Sequence, residues 1–152
     1  MNFDFIVVGG GSSGCVTASK LVKNNASVLL IEEGGDYTNP FLKMPAGFIP
    51  MLDGSPYHRF HKTIPQKQLN DRQHDIAQGK ILGGGSSING MVYMRGRPSD
   101  YELWEKEVND NTWGWDSLLK SFVNLEGNQR FNNKYHGIDG PLKVSDPKYV
   151  VK

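Results

Sequence analysis

The opening 35 residues leave the chain little freedom of fold. Residues 3–8, "FDFIVV", end in a continuous apolar run, and "GGGSSG" follows at once. Cys15, Val16, Ala18, Leu21 and Val22 then recur at helical spacing as far as the turn-like Asn24-Asn25. "SVLLI" at 27–31 is a second apolar run, closed by Glu32, Glu33, Gly34 and Gly35. Continuous apolar runs are what strands buried on both faces of a parallel sheet carry. Strand, glycine turn, helix and strand in so short a span predict a βαβ unit, because parallel neighbours need a crossover. The expected class is α/β, with a Rossmann-like start.

The glycines fall in the order Gly9-x-Gly11-x-x-Gly14, directly after a strand and opening a helix. The first permits a tight turn, the second lets backbone approach a pyrophosphate, and the third lets helix and strand pack closely. A helix N-terminus offers unpaired N–H groups and about half a positive charge to phosphates, and Ser12 and Ser13 add hydroxyls. Glu32 closes the next strand, 18 positions after Gly14. A carboxylate there accepts hydrogen bonds from ribose hydroxyls and repels a 2′-phosphate. The pattern predicts a dinucleotide and leaves NAD and FAD both open. Glu33 is assigned backbone contact or plain solvation.

Bulk properties narrow the class further. The length suits one domain with a real core. A net charge of +1 argues against nucleic-acid binding, which needs a basic excess. No apolar run approaches the roughly 18–20 residues of a membrane span. The N-terminus lacks the order of a signal peptide, and the single cysteine excludes an internal disulfide. A cytoplasmic location is expected.

Residues 36–78 show no sustained periodicity and are punctuated by prolines 40, 45, 50, 56 and 65. They read as irregular loop with short pieces of helix or strand; so long a loop is usually functional or packed against something. Residues 99–109 read as a helix with a Ser99/Glu102 capping box and with Tyr101, Trp104 and Val108 on one face. Residues 113–115 read as a turn, Asp116 as the cap of a second helix carrying Leu118, Leu119, Phe122 and Leu125, and residues 135–145 as a glycine turn leading into a strand.

The second glycine-rich stretch, "GKILGGGSSINGMVYMRG" at 79–96, carries a longer and more particular pattern: Gly79-Lys80-x-Leu82-Gly83-Gly84-Gly85-Ser86-x-Ile88-Asn89, then Tyr93 and Gly96. It resembles the signature of the glucose–methanol–choline (GMC) family of flavin oxidoreductases. "IPQ" at 64–66, "RGRPSDYELWE", "WGWDSLLKSF" and "YHGIDGPLKVS" agree in order, so the resemblance covers nearly the whole chain. It implies that Gly9, Gly11, Ser12, Ser13 and Gly14 hold the pyrophosphate of FAD and that Glu32 holds the adenosine ribose. Gly84, Ser86, Asn89, Gly90, Met91 and Val92 would line the flavin end. One loop then grips the ADP half and the other the flavin half. Glycines allow the close backbone approach that a flavin ring needs, and N–H donors or a cation stabilise charge on the reduced ring.

Some members of the family join FAD covalently to a histidine in this second loop. Ile88 and Asn89 stand there instead, so noncovalent FAD is expected. Arg95 and Arg97 are assigned surface solvation or phosphate contact; for Lys80 a flavin role and solvation weigh equally. His58 and His61 lack further ligands for a metal, His74 and His136 read as surface or turn residues, and Cys15 as a small buried one. The family oxidises an alcohol with a histidine base near the C-terminal end of a much longer chain, and none of the four histidines here occupies that motif.

The resemblance therefore implies that residues 1–152 are the N-terminal part of a discontinuous FAD-binding domain. The substrate-binding domain and the catalytic residues lie elsewhere, the GMC fold is incomplete, and the parallel sheet is partial, with an exposed edge. The expected function is the FAD-binding portion of an oxidoreductase acting on the CH–OH groups of alcohols or choline, with a completing C-terminal chain as a candidate partner. Whether the chain alone is an enzyme stays open. A non-catalytic nucleotide-binding fragment is the alternative. An NAD-dependent enzyme ranks third, because it leaves the second loop unexplained.

Overall fold

The computed structural model describes residues 1–147 apart from 37, 45, 46, 48 and 50–53. The chain divides into two compact units, Met1–Val92 and Tyr93–Lys152.

The first unit opens with the expected βαβ element. β1 (Phe5–Val8) and β2 (Val28–Ile31) pair in parallel, from Phe5 opposite Val28 to Val8 opposite Ile31. α1 (Ser12–Lys23) joins them, and its last turn carries Lys20 and Lys23, which complement the negative end of the helix dipole. A single parallel bridge between Gly35 and Ile81 ties the chain just past β2 to the second glycine-rich stretch. The Leu82 N–H donates to the Gly35 carbonyl at 3.0 Å.

Of the two expectations for this sheet, strands buried on both faces and a partial sheet left exposed, the second agrees with the structure. The strands are not buried on both faces: Phe5, Ile6 and Val8 are 49, 61 and 80% exposed, and Ile31 is exposed too. The apolar pattern belongs to a sheet with more layers than two strands and one helix supply. Burial needs partners, and residues 1–92 provide them mainly around Leu42 and Ile81, which pack with Tyr57 and Ile88.

The stretch expected to be irregular holds an antiparallel hairpin. β3 (His58–Lys62) pairs with β4 (Asp75–Gly79), with Arg59 opposite Gln78 and His61 opposite Ile76. "HRFHK" and "DIAQG" have no apolar–polar alternation because most of their side chains are exposed on either face, so the periodic signal for strands is missing. The hairpin tip is a 3₁₀ turn, Lys67–Leu69, followed by Asn70 and Asp71 in the left-handed region. A second 3₁₀ turn, Pro40–Lys43, is capped by the Asn39 side chain, which accepts from the Phe41 N–H at 3.0 Å. Prolines 45 and 50 lie outside the described residues.

The second unit holds α3 (Pro98–Val108), α4 (Trp115–Leu125) and a short parallel pair, β5 (Glu126–Asn128) with β6 (Leu142–Val144). Tyr101 is its buried anchor, packed against Trp104, Trp115 and Phe122 at ring separations of 5.4, 5.7 and 5.6 Å. Trp104 and Val108, expected to share its buried face, are themselves half exposed. The capping of both helices differs from expectation. α3 begins one residue early, because Pro98 presets the first helical φ and Asp100 reaches back to accept the Arg97 N–H at 2.8 Å. Ser99 and Glu102 form no box. In α4 the cap is Gly114, and Asp116 sits inside the first turn.

Candidate functional site

The two glycine-rich stretches, far apart in sequence, meet in the first unit. The Gly83 N–H donates to the Gly10 carbonyl at 2.6 Å, and the hydroxyls of Ser12 and Ser86 lie 2.5 Å apart. The contact requires glycine at Gly84: its φ is +55°, and a Cβ there would fall 2.8 Å from the Gly11 Cα. It is equally required at Gly14, where a Cβ would fall 1.9 Å from the Gly9 carbonyl oxygen. The third glycine thus lets α1 pack onto the turn that follows β1.

At the start of α1, Gly11 is the cap and makes no side-chain capping bond, and the first turn holds no acidic residue. Its leading N–H groups therefore have no helical partner, and no carboxylate of the first turn itself competes for them. A Cβ on Gly11 would meet nothing within 4 Å, so the space over the cap is open. Ser12 and Ser13 are exposed beside it.

Glu32 is fixed from two sides. One carboxylate oxygen accepts the Gly10 N–H at 2.6 Å and the other the Gly34 N–H at 2.8 Å. Each oxygen keeps a free lone pair, so the group is oriented and still able to accept. Glu33, assigned backbone contact or plain solvation by the sequence, instead pairs with the Arg59 guanidinium and with Lys80 Nζ at 3.4 Å. Desolvation pushes its pKa up, but the two cations outweigh this and hold the carboxyl below its usual range. These residues border a cavity of about 380 Å³ beyond the ends of β1 and β2. Val8, Ile31, Glu32, Arg59, Gln78 and Lys80 contribute to its lining.

Past Gly84, α2 (Gly85–Ile88) is a single turn. Ser86 faces Ser12, while the Ser87 hydroxyl donates to the Leu82 carbonyl at 2.7 Å and holds the loop closed. Asn89 shapes the exit: its side-chain oxygen accepts the Met91 N–H at 2.8 Å and its amide donates to the Ser86 carbonyl at 3.2 Å. That turn puts Met91 at φ +59°, a conformation uncommon for a long side chain. Asn89, Gly90, Met91 and Val92 are all exposed. Contacts of Gly10 with Gly83, Gly11 with Gly84 and Ser12 with Ser86 thus join the two loops. Ser13 is exposed beside them, Gly14 packs on Gly9, and of these residues Gly9 lines the cavity together with Glu32, while residues 89–92 follow α2.

Other singled-out residues do different work. The Cys15 thiol donates to the Gly10 carbonyl at 3.1 Å. His58 pairs with Ser55 and His61 with Gln78, His74 accepts from Arg72, and no group of potential metal ligands occurs among the described residues. In the second unit Arg95 is neither solvated nor free for phosphate. It is mostly buried against the fully buried Glu126, which also bonds His136 Nδ1 at 2.9 Å and the Asn128 amide at 2.6 Å. His136 is thus part of an internal ion cluster. Sequence reasoning missed Gly10, whose backbone serves Glu32, Gly83 and Cys15 at once, and missed Arg59 and Gln78, which no local pattern marks.

No helix among the described residues is long and apolar enough to cross a membrane. The chain is 44% identical over 148 residues to the alcohol dehydrogenase [acceptor] of Pseudomonas putida, covering 96% of this chain and 27% of that protein. It is 40% identical over 151 residues to an oxygen-dependent choline dehydrogenase of Klebsiella pneumoniae, covering 97% and 27%. Its fold matches an FAD-dependent oxidoreductase from Chaetomium thermophilum with a TM-score of 0.84 and 32% identity, over 97% of this chain and 27% of that one. The chain thus spans 27% of the length of each of these relatives. Residues 3–150 match the family description GMC oxidoreductase. With the paired glycine loops in place and nearly every residue matched, this chain belongs to the GMC oxidoreductases.

Proposed function

We propose that the chain is the FAD-binding portion of a flavin-dependent oxidoreductase acting on the CH–OH groups of an alcohol or choline. The observation that carries this reading is the junction of the two glycine loops through Ser12 and Ser86. A nucleotide site alone needs the first loop; a second, fused to it by backbone contact, suits a ligand long enough to span both.

The residues present fit FAD. An uncapped helix start under an open Gly11 suits a pyrophosphate, and Glu32 is held with acceptor capacity to spare for a ribose. Gly84, Ser86 and residues 89–92 would hold the flavin end, with backbone accessible along an exposed segment. The chemistry FAD supplies when bound is acceptance of a hydride from the alcohol carbon. This chain's residues bind and orient. The substrate-binding surface and the catalytic base come from further polypeptide, in keeping with the 27% coverage of the relatives and with the uncovered apolar faces of β1 and β2. The cofactor is held noncovalently, since residues 79–92 contain no histidine.

Incubation with FAD followed by gel filtration tests the reading. A flavin absorbance band should travel with the protein, and acid precipitation should release the yellow cofactor to the supernatant. Folded protein that emerges without flavin overturns the proposal. Flavin retained in the precipitate overturns only the noncovalent attachment. A nucleotide-binding fragment without chemistry is the alternative, and it is favoured if the chain binds ADP as tightly as FAD.

A further inference from the structure

We infer that the β3–β4 hairpin forms the adenine-binding wall of the nucleotide site, with Arg59 as the residue that stacks on the base; this rests on the FAD-binding reading above. The cavity beyond β1 and β2 has two kinds of surface. Its floor is apolar: Val8 and Ile31, register partners at the strand ends, are 80 and 46% exposed. Its far wall is polar and comes from the hairpin, where Arg59 and Gln78 stand opposite each other in the antiparallel register and therefore project on the same side. A purine has the same division, with apolar faces and a polar edge.

Arg59 is held for such a role rather than left to sweep through solvent. Its guanidinium is tied to Glu33, which also takes Lys80, so one carboxylate from the end of β2 fixes two cations at the cavity. A planar, charged, partly desolvated guanidinium stacks well on an aromatic face. A lysine ammonium cannot offer the plane. Gln78 donates or accepts at the base edge, with its amide oriented by His61, whose Nε2 lies 3.0 Å from Gln78 Oε1. The same cavity reaches Glu32, so ribose and base recognition would adjoin.

Binding of FAD and of ADP to the 152-residue chain, measured by flavin fluorescence quenching and by ADP competition, tests the inference with no need for turnover. Arg59→Ala should weaken both ligands about five- to thirty-fold, the range a lost cation–π stack produces. Arg59→Lys, which keeps the charge and loses the plane, should recover only part of this. Lys62→Ala removes a cation from the same hairpin, on the opposite face and paired with Asp75, and should change nothing. Unchanged affinities in Arg59→Ala, or full recovery in Arg59→Lys, overturn the inference while leaving the FAD reading intact. A wild-type chain that binds neither ligand overturns both. Thermal melts of each variant separate lost binding from lost fold; weaker binding in Arg59→Ala that tracks a lowered melting temperature counts against base stacking.

Discussion

The hydroxyl oxygens of Ser12 and Ser86 lie 2.5 Å apart, although 74 residues separate them in the chain. Only one proton can occupy the line between two such oxygens. The other is free to point at an acceptor placed beside the pair, and a phosphate there would draw both. On the proposed reading, this contact is where the two loops converge on the negative charge of the cofactor.

Ser12→Ala and Ser86→Ala should each weaken FAD binding about ten-fold or more, because hydrogen bonds to charged groups are worth about 1.5–3 kcal/mol. Both serines are exposed, so stability should change by no more than about 0.5 kcal/mol. Fluorescence titration beside urea denaturation reads both quantities. A loss of stability as large as the loss of affinity would reassign the pair to holding the loops together.

Two glycines three positions apart should respond in opposite ways to alanine. At Gly14 the new methyl meets the Gly9 carbonyl, and the chain should lose at least about 1–3 kcal/mol of stability. At Gly11 the methyl meets open space with an ordinary φ of −72°. Gly11→Ala should fold normally and lose FAD affinity, because the methyl occupies the space a pyrophosphate needs. Urea midpoints together with flavin titration distinguish the two, and equal destabilisation would refute the assignment.

Glu126 should act as the acid-labile point of the second unit. Burial pushes its carboxyl pKa up, but bonds from Asn128 and His136 and the charge of Arg95 prevail and hold it below the usual range. A depressed folded-state pKa contributes stability that is complete above the unfolded value of about 4.3 and fades as pH falls through the folded one. Glu126→Gln leaves Arg95 without its anion in a buried place and should cost about 3–5 kcal/mol at neutral pH. Its stability should also fall less steeply than wild type on acidification below about pH 4.3. Urea unfolding across that range provides the check.

The uncovered strands carry their own prediction. With Phe5, Ile6 and Val8 exposed on a two-stranded sheet, the isolated chain should self-associate as its concentration rises. Ile6→Thr keeps strand propensity while removing apolar area, and should lower the association seen by sedimentation velocity. A monodisperse wild-type monomer at high concentration would contradict this.

The βαβ unit was legible because its signals are local: two apolar runs, a glycine turn and helical spacing within 35 residues. Gly14 was legible for the same reason, since the packing of a helix on its preceding strand is fixed within one motif. The β3–β4 hairpin was not, because "HRFHK" and "DIAQG" are exposed on both faces and carry no alternation to read. The pairing of Glu33 with Arg59 and Lys80, and of Arg95 with Glu126, depends on residues 26 to 47 positions apart, and charge alone does not say which partner a side chain finds. The apolar run of β1 pointed to burial on both faces while the resemblance pointed to a partial sheet with apolar surface, and the exposure of Phe5, Ile6 and Val8 on a two-stranded sheet agrees with the second. The caps of α3 and α4 each lie two residues before the expected ones, at Arg97 rather than Ser99, where Pro98 and Asp100 set the start, and at Gly114 rather than Asp116.

The bridge between Gly35 and Ile81 divides labour along the chain. It joins the chain just past β2 to the start of the second glycine-rich stretch, and Leu42 and Tyr57, from the segment between, pack with Ile81 beside it. Changes confined to the tip of the β3–β4 hairpin, outside that small core, leave the proposed grip of the glycine loops on the charged centre of a ligand in place. Selectivity for the end of that ligand can then drift independently of the affinity for its middle, which makes the segment a natural place to graft a new preference onto an unchanged anchor.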